Sequence, residues 1–500
     1  MPKEKIILIY VQDFLGNDEY HKGYVPEDLN IPLGILYLGT YLNRYGFDIL
    51  LLDTRLYKED NFFKFLYIEL IKDPLLVGLS VMTPSIRNAL KITRFIKSYF
   101  KKIYTVWGGV HPTLYPDSTI RNENIDFLIV NEGEKSLLSL ARYLRGNINK
   151  IGSIPNLVFI YENQIIKNEV SNPAELKDIG IPDYKILDID RYTSRLISHR
   201  YIRRQIEVIT SRGCIHRCAF CINSVINNKY RDEPIEQTLK NIDILINDYN
   251  IEHIFFMDED FFINRNKIRY LLPELKKRKI SWESNCRADY INPSYIDNKF
   301  LKEIKESGCI KLRMGLESGS QKILDLLDKD ITIQKSMEAV KSLTKYGILP
   351  SASFMMGMPE EELIDIIKTL KLILKLYMIN PKIEIIGPLI FRPYPGGKLF
   401  LKCQEEGLRI PQALDEWSDF YIHNLLEEYR YGLPWFSYSW IFKKVYLFLG
   451  YLRLVWKRKL FRYLSIPMIK FHIITKLKFI NVDYAIYKCI KKIKSFFNYG

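Results

Sequence analysis

Short apolar runs alternate with longer amphipathic runs through the first 145 residues. The apolar runs are rich in β-branched residues, which is typical of buried strands, and the segments between them have helical spacing. This alternation predicts a parallel, doubly wound, Rossmann-like α/β sheet. The five predicted strands are Ile6–Tyr10, Phe47–Asp53, Leu75–Met82, Ile103–Val110 and Phe127–Val130.

A second series of strand and helix units runs from about residue 205 to residue 400. Six βα units predict a partial (β/α)6 barrel, with its chemistry at the carboxyl ends of the strands. The six predicted strands are Ile206–Thr210, His253–Asp260, Ser281–Arg287, Ile310–Gly319, Leu349–Gly357 and Ile383–Phe391.

The length of 500 residues is too great for one ordinary core and predicts several domains. We place the Rossmann-like domain at 1–145 and the barrel at 205–400. A segment rich in Pro and Asp at 146–204, with a predicted hairpin at Ile154–Ile160 and Gln164–Glu169, connects them. Residues 401–500 are basic, aromatic and mainly helical by pattern.

Three cysteines follow the first barrel strand at C-x3-C-x2-C spacing: Cys214, Cys218 and Cys221. Thiolates are the usual ligands of iron–sulfur clusters, and three of them leave one iron of a four-iron cluster open. A zinc site or three unrelated buried thiols are the alternatives, although structural zinc favours four ligands in two pairs. Seven cysteines with three in one loop do not suggest disulfides, so a reducing cytoplasm is expected.

Polar residues also close several barrel strands, and they converge on the rim that carries the cysteine loop. Taken singly, each could be a helix cap or a solvated loop residue. Their convergence favours a ligand site. The polar residues are Asp258, Glu259, Asp260, Arg287, Glu317 and Ser318, and Gly357 closes the fifth strand.

The cysteine loop resembles the signature of the radical S-adenosylmethionine (SAM) enzymes. Cys214, Cys218 and Cys221 would hold a 4Fe-4S cluster whose open iron chelates SAM, and Phe220 matches the aromatic before the last cysteine. The resemblance implies SAM contacts at the rim: Asp258-Glu259 at the amino group, Arg287 at the carboxylate, Glu317-Ser318 of the strand-four motif, and Gly357 beside the adenine.

The first domain resembles the cobalamin-binding domain that precedes the radical SAM core in the B12-dependent class. Its order of features implies cobalamin contacts at Thr83, Gly108, Gly109 and Glu132, which follow or end strands three to five. The D-x-H-x-x-G motif is absent, and the neighbours of His21 and His111 do not match it. We therefore predict that cobalamin binds base-off, with no protein histidine on cobalt.

The resemblance implies a cobalamin-dependent radical SAM enzyme, and transfer of a methyl group to an unactivated carbon is the commonest outcome in that class. Ring formation or oxidation without methyl transfer is an alternative, as is a non-catalytic cobalamin carrier. An external one-electron reductant of the ferredoxin or flavodoxin type is implied as a partner.

The net charge of +15 is concentrated at the carboxyl end. From Gly432 to Gly500 there are fourteen Lys or Arg residues and one acidic residue, Asp483. Basic amphipathic stretches suggest a peripheral membrane contact through 433–500, and they motivate the hypothesis of a hydrophobic substrate such as a lipid or isoprenoid. A helical cap over the barrel is the alternative, and no nucleic-acid partner is expected because no stacking motif accompanies the charge.

Overall fold

A computed structural model describes residues 4–15, 29–147, 150–193, 204–226, 229–417, 433–438 and 440–456. They form two compact units. The first takes its residues from 1–211, 231–255 and 410–423, and the second from 212–230, 256–409 and 424–500.

A seven-stranded sheet organises the first unit, in the order β2-β1-β3-β4-β5-β6-β7. The first five strands pair in parallel, and β6 and β7 join them as an antiparallel hairpin. The strands are β1 Lys5–Tyr10, β2 Asp48–Asp53, β3 Leu76–Ser80, β4 Tyr104–Gly108, β5 Phe127–Ile129, β6 Leu157–Tyr161 and β7 Gln164–Lys167.

The strand order reverses between β1 and β3, so the ligand crevice of this sheet is expected at their carboxyl ends. The predicted hairpin of the connecting segment exists, but it extends the first sheet, because the outer edge of β5 offers unpaired backbone groups. Among the described residues up to 193, the helices that accompany the sheet are α1 Leu33–Arg44, α2 Glu59–Leu70, α3 Ile86–Tyr99, α4 Val110–Leu114, α5 Pro116–Ile120, α6 Glu134–Leu144 and α7 Leu176–Ile179.

A second sheet has six strands in the order β15-β14-β13-β12-β11-β8. The pairs β12–β13, β13–β14 and β14–β15 are parallel. The strands of this part of the chain, with a separate short pair β9 and β10, are β8 Gln205–Val208, β9 Ser211–Arg212, β10 Arg231–Asp232, β11 His253–Phe256, β12 Ser281–Asn285, β13 Cys309–Glu317, β14 Leu349–Met356 and β15 Glu384–Ile390.

Helices alternate with these strands, as the sequence pattern predicts for a partial barrel. They are α8 Asn223–Ile226, α9 Ile235–Tyr249, α10 Arg265–Arg278, α11 Asn298–Glu306, α12 Gln321–Leu326, α13 Ile333–Lys345, α14 Leu363–Ile379, α15 Lys398–Glu405 and α16 Ile441–Trp456. Of the basic region 433–500, the structure describes 433–438 and 440–456. Within it, α16 buries Phe442, Val445 and Phe448 in the second unit. Residues 457–500 lie outside the described residues.

Candidate active site

The three cysteines of the loop after β9 line one cavity of about 370 Å³ in the second unit. Their thiols form no disulfide. Burial raises the pKa of Cys214 to about 11, and the pKa of Cys221 is raised mainly for the same reason. A bound metal would stabilise the thiolate forms of these thiols.

Backbone contacts fix the loop that carries these thiols. The amide of Ala219 donates to the carbonyl of Leu327 at 2.9 Å, and the amide of Cys221 donates to the carbonyl of Cys218 at 3.0 Å. Among the described residues, no three His, Cys, Asp or Glu side chains are placed to hold a single metal ion. A cluster spreads its thiolates over several irons, and three thiols on one cavity wall fit such a group.

The acidic residues after β11 have different positions. Glu259 lines the cavity, and burial raises the pKa of its carboxyl group. Asp258 is fully buried and is not among the lining residues, while its carbonyl accepts a hydrogen bond from Asn285 at 2.9 Å. Glu259 is therefore the acid of this pair that faces a ligand, and Asp258 belongs to the supporting wall.

Arg287 lies at the carboxyl end of β12 and lines the same cavity. Its Nη1 is 3.8 Å from Sγ of Cys218, and its Nε donates to Asp289 at 2.9 Å. Its Nη2 also donates to the carbonyl of Lys329 at 2.6 Å. The guanidinium group is thus held beside a cluster ligand, where an anionic ligand group would find a fixed donor.

Glu317 closes β13 and lines the cavity in a left-handed backbone conformation, with φ of 61°. Its carboxylate forms a buried ion pair with Lys329. A Cβ atom at Gly315 would lie 2.1 Å from Oε1 of Glu317 and 2.6 Å from Nζ of Lys329. Gly315 therefore leaves the space that this ion pair fills.

Lys329 is a cavity residue that the sequence reasoning missed. Its ammonium group lies 5.5 Å from the ring centroid of Phe220, which also lines the cavity. Asp328 and Asp330 on either side have φ of 49° and 54°, and this winding turns the lysine inward. No sequence signal distinguishes it, because Asp-Lys-Asp after a helix is typical of a solvated turn.

Besides Asp258, two other predicted SAM residues, Ser318 and Gly357, are not among the cavity-lining residues. Ser318 is buried, with its Oγ 3.2 Å from Oγ1 of Thr369. Gly357 has φ of 83°; its amide donates to Glu361, and its carbonyl accepts a hydrogen bond from the indole of Trp435 at 2.9 Å. Their contacts support the cavity wall, and their predicted contacts with SAM stay predictions.

The predicted cobalamin residues lie at the strand ends of the first unit. Thr83 is buried, with Oγ1 3.2 Å from Nδ1 of His111. Gly108 ends β4, and Gly109 follows with φ of 100° and ψ of −164°, a conformation that only glycine adopts readily. Glu132 follows β5 and forms an ion pair with Arg231. These placements suit a ligand approaching backbone, and the individual contacts stay predictions.

His111 has no exposed surface, and its ring packs near Trp417 with centroids 5.5 Å apart. Burial lowers its pKa to about 3, so the imidazole is neutral. Its Nε2 has no hydrogen-bond partner among the described residues. An imidazole buried this deeply is consistent with the prediction that no histidine ligates cobalt, which stays a prediction. His21 lies outside the described residues.

Models of two protein families match the chain over these two regions. The B12 binding domain matches residues 25–141, and the radical SAM superfamily matches residues 208–373. The chain belongs to the cobalamin-dependent radical SAM enzyme family. The 4Fe-4S cluster, SAM and cobalamin that the sequence predicts are the cofactors of this family.

Two relatives illustrate the range of activities. An uncharacterized methyltransferase of Pyrococcus horikoshii is 30% identical over 377 residues, which cover 74% of this chain and 77% of that protein. An anaerobic magnesium-protoporphyrin IX monomethyl ester cyclase of Rubrivivax gelatinosus is 27% identical over 396 residues, covering 76% of this chain and 68% of the cyclase.

Solved structures confirm the predicted fold class of a B12 domain followed by a radical SAM domain. OxsB, with aqua-cobalamin and SAM bound, gives a TM-score of 0.63 at 20% identity, and the match covers 83% of this chain and 56% of OxsB. This chain thus spans about half the length of OxsB. TsrM from Kitasatospora setae, with cobalamin and a [4Fe-4S] cluster bound, gives a TM-score of 0.61 at 17% identity. That match covers 82% of this chain and 76% of TsrM.

A membrane-spanning helix must reach a minimum length and a minimum hydropathy. Within the described ranges, no helix is both long enough and apolar enough to cross a membrane.

Proposed function

We propose that this radical SAM enzyme uses cobalamin to methylate an unactivated carbon of a hydrophobic substrate of the lipid or isoprenoid class. The observation that carries the SAM chemistry is the shared cavity, which is lined by all three loop cysteines together with Glu259 and Glu317. Methyl transfer is supported by the relative in Pyrococcus horikoshii, which is named a methyltransferase.

The chain's own residues supply binding and orientation. When bound, the cluster provides the electron that cleaves SAM, and cobalamin carries the methyl group. Glu259 and Glu317 are carboxylates suited to accept hydrogen bonds from the amino and hydroxyl groups of SAM, and Arg287 is suited to its carboxylate.

The carboxyl end of the chain supports the proposed substrate class. In α16 the apolar residues Val445, Phe448 and Leu452 are buried in the second unit, as the helical-cap alternative predicts. A membrane role therefore rests on residues 457–500, which contain eleven Lys or Arg residues interleaved with apolar and aromatic residues. Such a segment favours an anionic lipid surface, where a hydrophobic substrate would be met.

The experiment is an anaerobic assay of the reconstituted full chain. It receives reductant, cobalamin, SAM with a deuterated methyl group and a membrane lipid extract. We expect 5′-deoxyadenosine together with deuterium in a lipid product. The Cys214→Ala/Cys218→Ala/Cys221→Ala variant should form neither. Cys403→Ala, which alters a buried cysteine of α15 outside the cavity lining, is the matched control and should form both.

The cyclase relative favours one alternative, which is hydrogen abstraction followed by ring formation or oxidation without methyl transfer. Formation of 5′-deoxyadenosine with no deuterium in any lipid product would support that alternative. A protein with a full cluster and bound cobalamin that never forms deoxyadenosine would instead be a cobalamin carrier.

The membrane step has its own test. Co-sedimentation with anionic vesicles should fall strongly when the chain ends at Trp456, because that truncation keeps the buried residues of α16. Neutral vesicles should bind neither protein. Equal binding of the full and the shortened chain would contradict the proposed membrane contact.

A further inference from the structure

His216 lies inside the cysteine loop, two residues after Cys214 and two before Cys218. It is not one of the expected cluster ligands, yet it lines the same cavity. Its Nε2 is 2.7 Å from Oη of Tyr290 and 3.5 Å from Oδ2 of Asp260. The imidazole therefore ties the cysteine loop to two other segments of the second unit.

Those two segments come from the ends of neighbouring strands. Asp260 follows β11, is 3% exposed, and its Oδ1 accepts a hydrogen bond from the amide of Phe262 at 3.4 Å. Tyr290 ends a short 3₁₀ turn, Ala288–Tyr290, that starts directly after Arg287. The turn that carries the tyrosine thus also follows the arginine that approaches Cys218.

The carboxylate of Asp260 also acts on its surroundings by charge. Asp260 lines the same cavity as the three cysteines. Its negative charge raises the pKa of Tyr290, for which burial is the largest cause. A buried charge on the wall of this cavity will act on a cluster held there, because the low dielectric screens it weakly.

We propose that His216, Tyr290 and Asp260 act together as positioning residues that hold the cysteine loop and set the reduction potential of the cluster. Tyr290 restrains the loop through His216, as partners of metal-binding loops commonly do. Asp260 contributes a fixed negative charge that disfavours the added electron, and hydrogen bonds and charge near a cluster are known determinants of its potential.

The test uses reconstituted holoenzyme, with iron and sulfide content and the EPR-monitored midpoint potential measured at one pH. Asp260→Asn should keep the iron content and raise the reduced fraction severalfold at a fixed potential. Tyr290→Phe keeps the ring and loses the hydroxyl contact with His216. It should release iron to a chelator severalfold faster and change the EPR line shape.

Tyr295→Phe is the matched control, because Tyr295 packs against Tyr290 with ring centroids 4.8 Å apart, while its hydroxyl donates to the carbonyl of Phe262. Its cluster should behave as in the wild type. An unchanged midpoint potential in Asp260→Asn would overturn the electrostatic role. If Tyr290→Phe released iron to the chelator at the same rate as Tyr295→Phe, the positioning role would be overturned. If Asp260→Asn fails to hold a cluster, this comparison of iron release decides the proposal alone.

Discussion

Two sets of strand ends in this protein occupy equivalent places in parallel sheets and carry opposite kinds of chemistry. In the first unit, the edge after β3 and β4 presents Thr83, Gly108 and Gly109, which are neutral and small. In the second unit, thiols and charged side chains such as Glu259 and Arg287 line a cavity. After β3 and β4 the first edge is built from backbone shape, with one ion pair, between Glu132 and Arg231, after β5. The second edge is built mainly from charged side chains.

The difference suits what each edge would bind. A large, flat cofactor such as cobalamin needs backbone that can be approached closely, which favours glycine. SAM carries an ammonium, a carboxylate and hydroxyl groups, and these need fixed charged partners. Buried charges are costly unless paired, so the second edge should be the more sensitive to charge removal. Three substitutions test this contrast.

Lys329→Met should have the largest effect of the three. The substitution leaves the carboxylate of Glu317 buried without its partner, and breaking such a pair costs about 3–5 kcal/mol. We expect the free energy of unfolding of the apo second unit to fall by about that amount, and the affinity of the reconstituted enzyme for SAM to fall more than tenfold. Denaturant unfolding and equilibrium SAM binding measure these effects.

Lys322→Met is the control, because Lys322 is a half-exposed lysine whose nearest carboxylate, on Asp365, is 3.9 Å away. A 3.9 Å contact from a half-exposed lysine contributes little to stability, and Asp365 keeps its ion pair with Lys368. The free energy of unfolding of Lys322→Met should therefore stay within about 1 kcal/mol of the wild type. If Lys329→Met behaved like this control, the ion pair with Glu317 would not be part of the SAM site.

The same contrast explains how much of the site the sequence could predict. The cysteines, Glu259, Arg287 and Glu317 lie at the ends of recognisable strands, and the structure places them in one cavity. Their predicted contacts with the cluster and with SAM stay predictions. Lys329 could not be found this way, because its burial depends on left-handed residues on either side in a turn.

Prediction was less specific where contacts depend on tertiary packing. Ser318 and Gly357 belong to the expected motifs. In the structure Ser318 forms a hydrogen bond with Thr369, and the carbonyl of Gly357 accepts one from Trp435, so both residues support the cavity wall. The fold class followed from periodicity alone, because alternating strands and helices leave few topologies. The pairing of β6 with β5 needed the structure, since a hairpin pattern does not say which sheet it joins.

Glu361→Gln should have the next largest effect, and its sign depends on pH. Burial raises the pKa of Glu361 to about 7, above the usual 4.5. The pKa of Glu361 is higher in the folded protein than in the unfolded chain. The contribution of Glu361 to the free energy of unfolding is therefore fully present below about pH 4.5 and is lost as the pH rises to about 7. The difference corresponds to about 3 kcal/mol, so above pH 7 the neutral amide should make the apo second unit more stable by up to that amount.

The glutamine oxygen can still accept the amide of Met358, which now donates at 3.2 Å, so the loop geometry should persist. Urea unfolding of the apo protein from pH 5 to pH 8 measures the effect. Glu360→Gln, which removes a half-exposed carboxylate paired with Lys402, should keep the wild-type pH dependence. The pH dependence would have another origin if Glu361→Gln lost stability across this range as the wild type does.

Gly109→Ala should have the smallest effect on stability and should act on the first unit only. A Cβ atom there would lie 3.0 Å from both N and O of Val81, and φ of 100° is strained for any side chain. We expect the free energy of unfolding to fall by about 1–3 kcal/mol. We also expect several-fold weaker cobalamin binding, because relief of the clash must move the backbone after β4 away from Val81, which follows β3.

Gly108→Ala is the matched control, since its Cβ would meet only the carbonyl of Ile129 at 3.6 Å, an ordinary contact. Absorbance titration with cobalamin and unfolding of the apo protein compare the two variants. If the first edge works through backbone shape, Gly109→Ala should weaken cobalamin binding without changing SAM binding, and Gly108→Ala should lose less stability. Equal losses of stability in the two variants would mean that the first edge depends on the space beside β5 as much as on the backbone conformation of Gly109. The two edges would then differ in the size of their residues and not in backbone conformation.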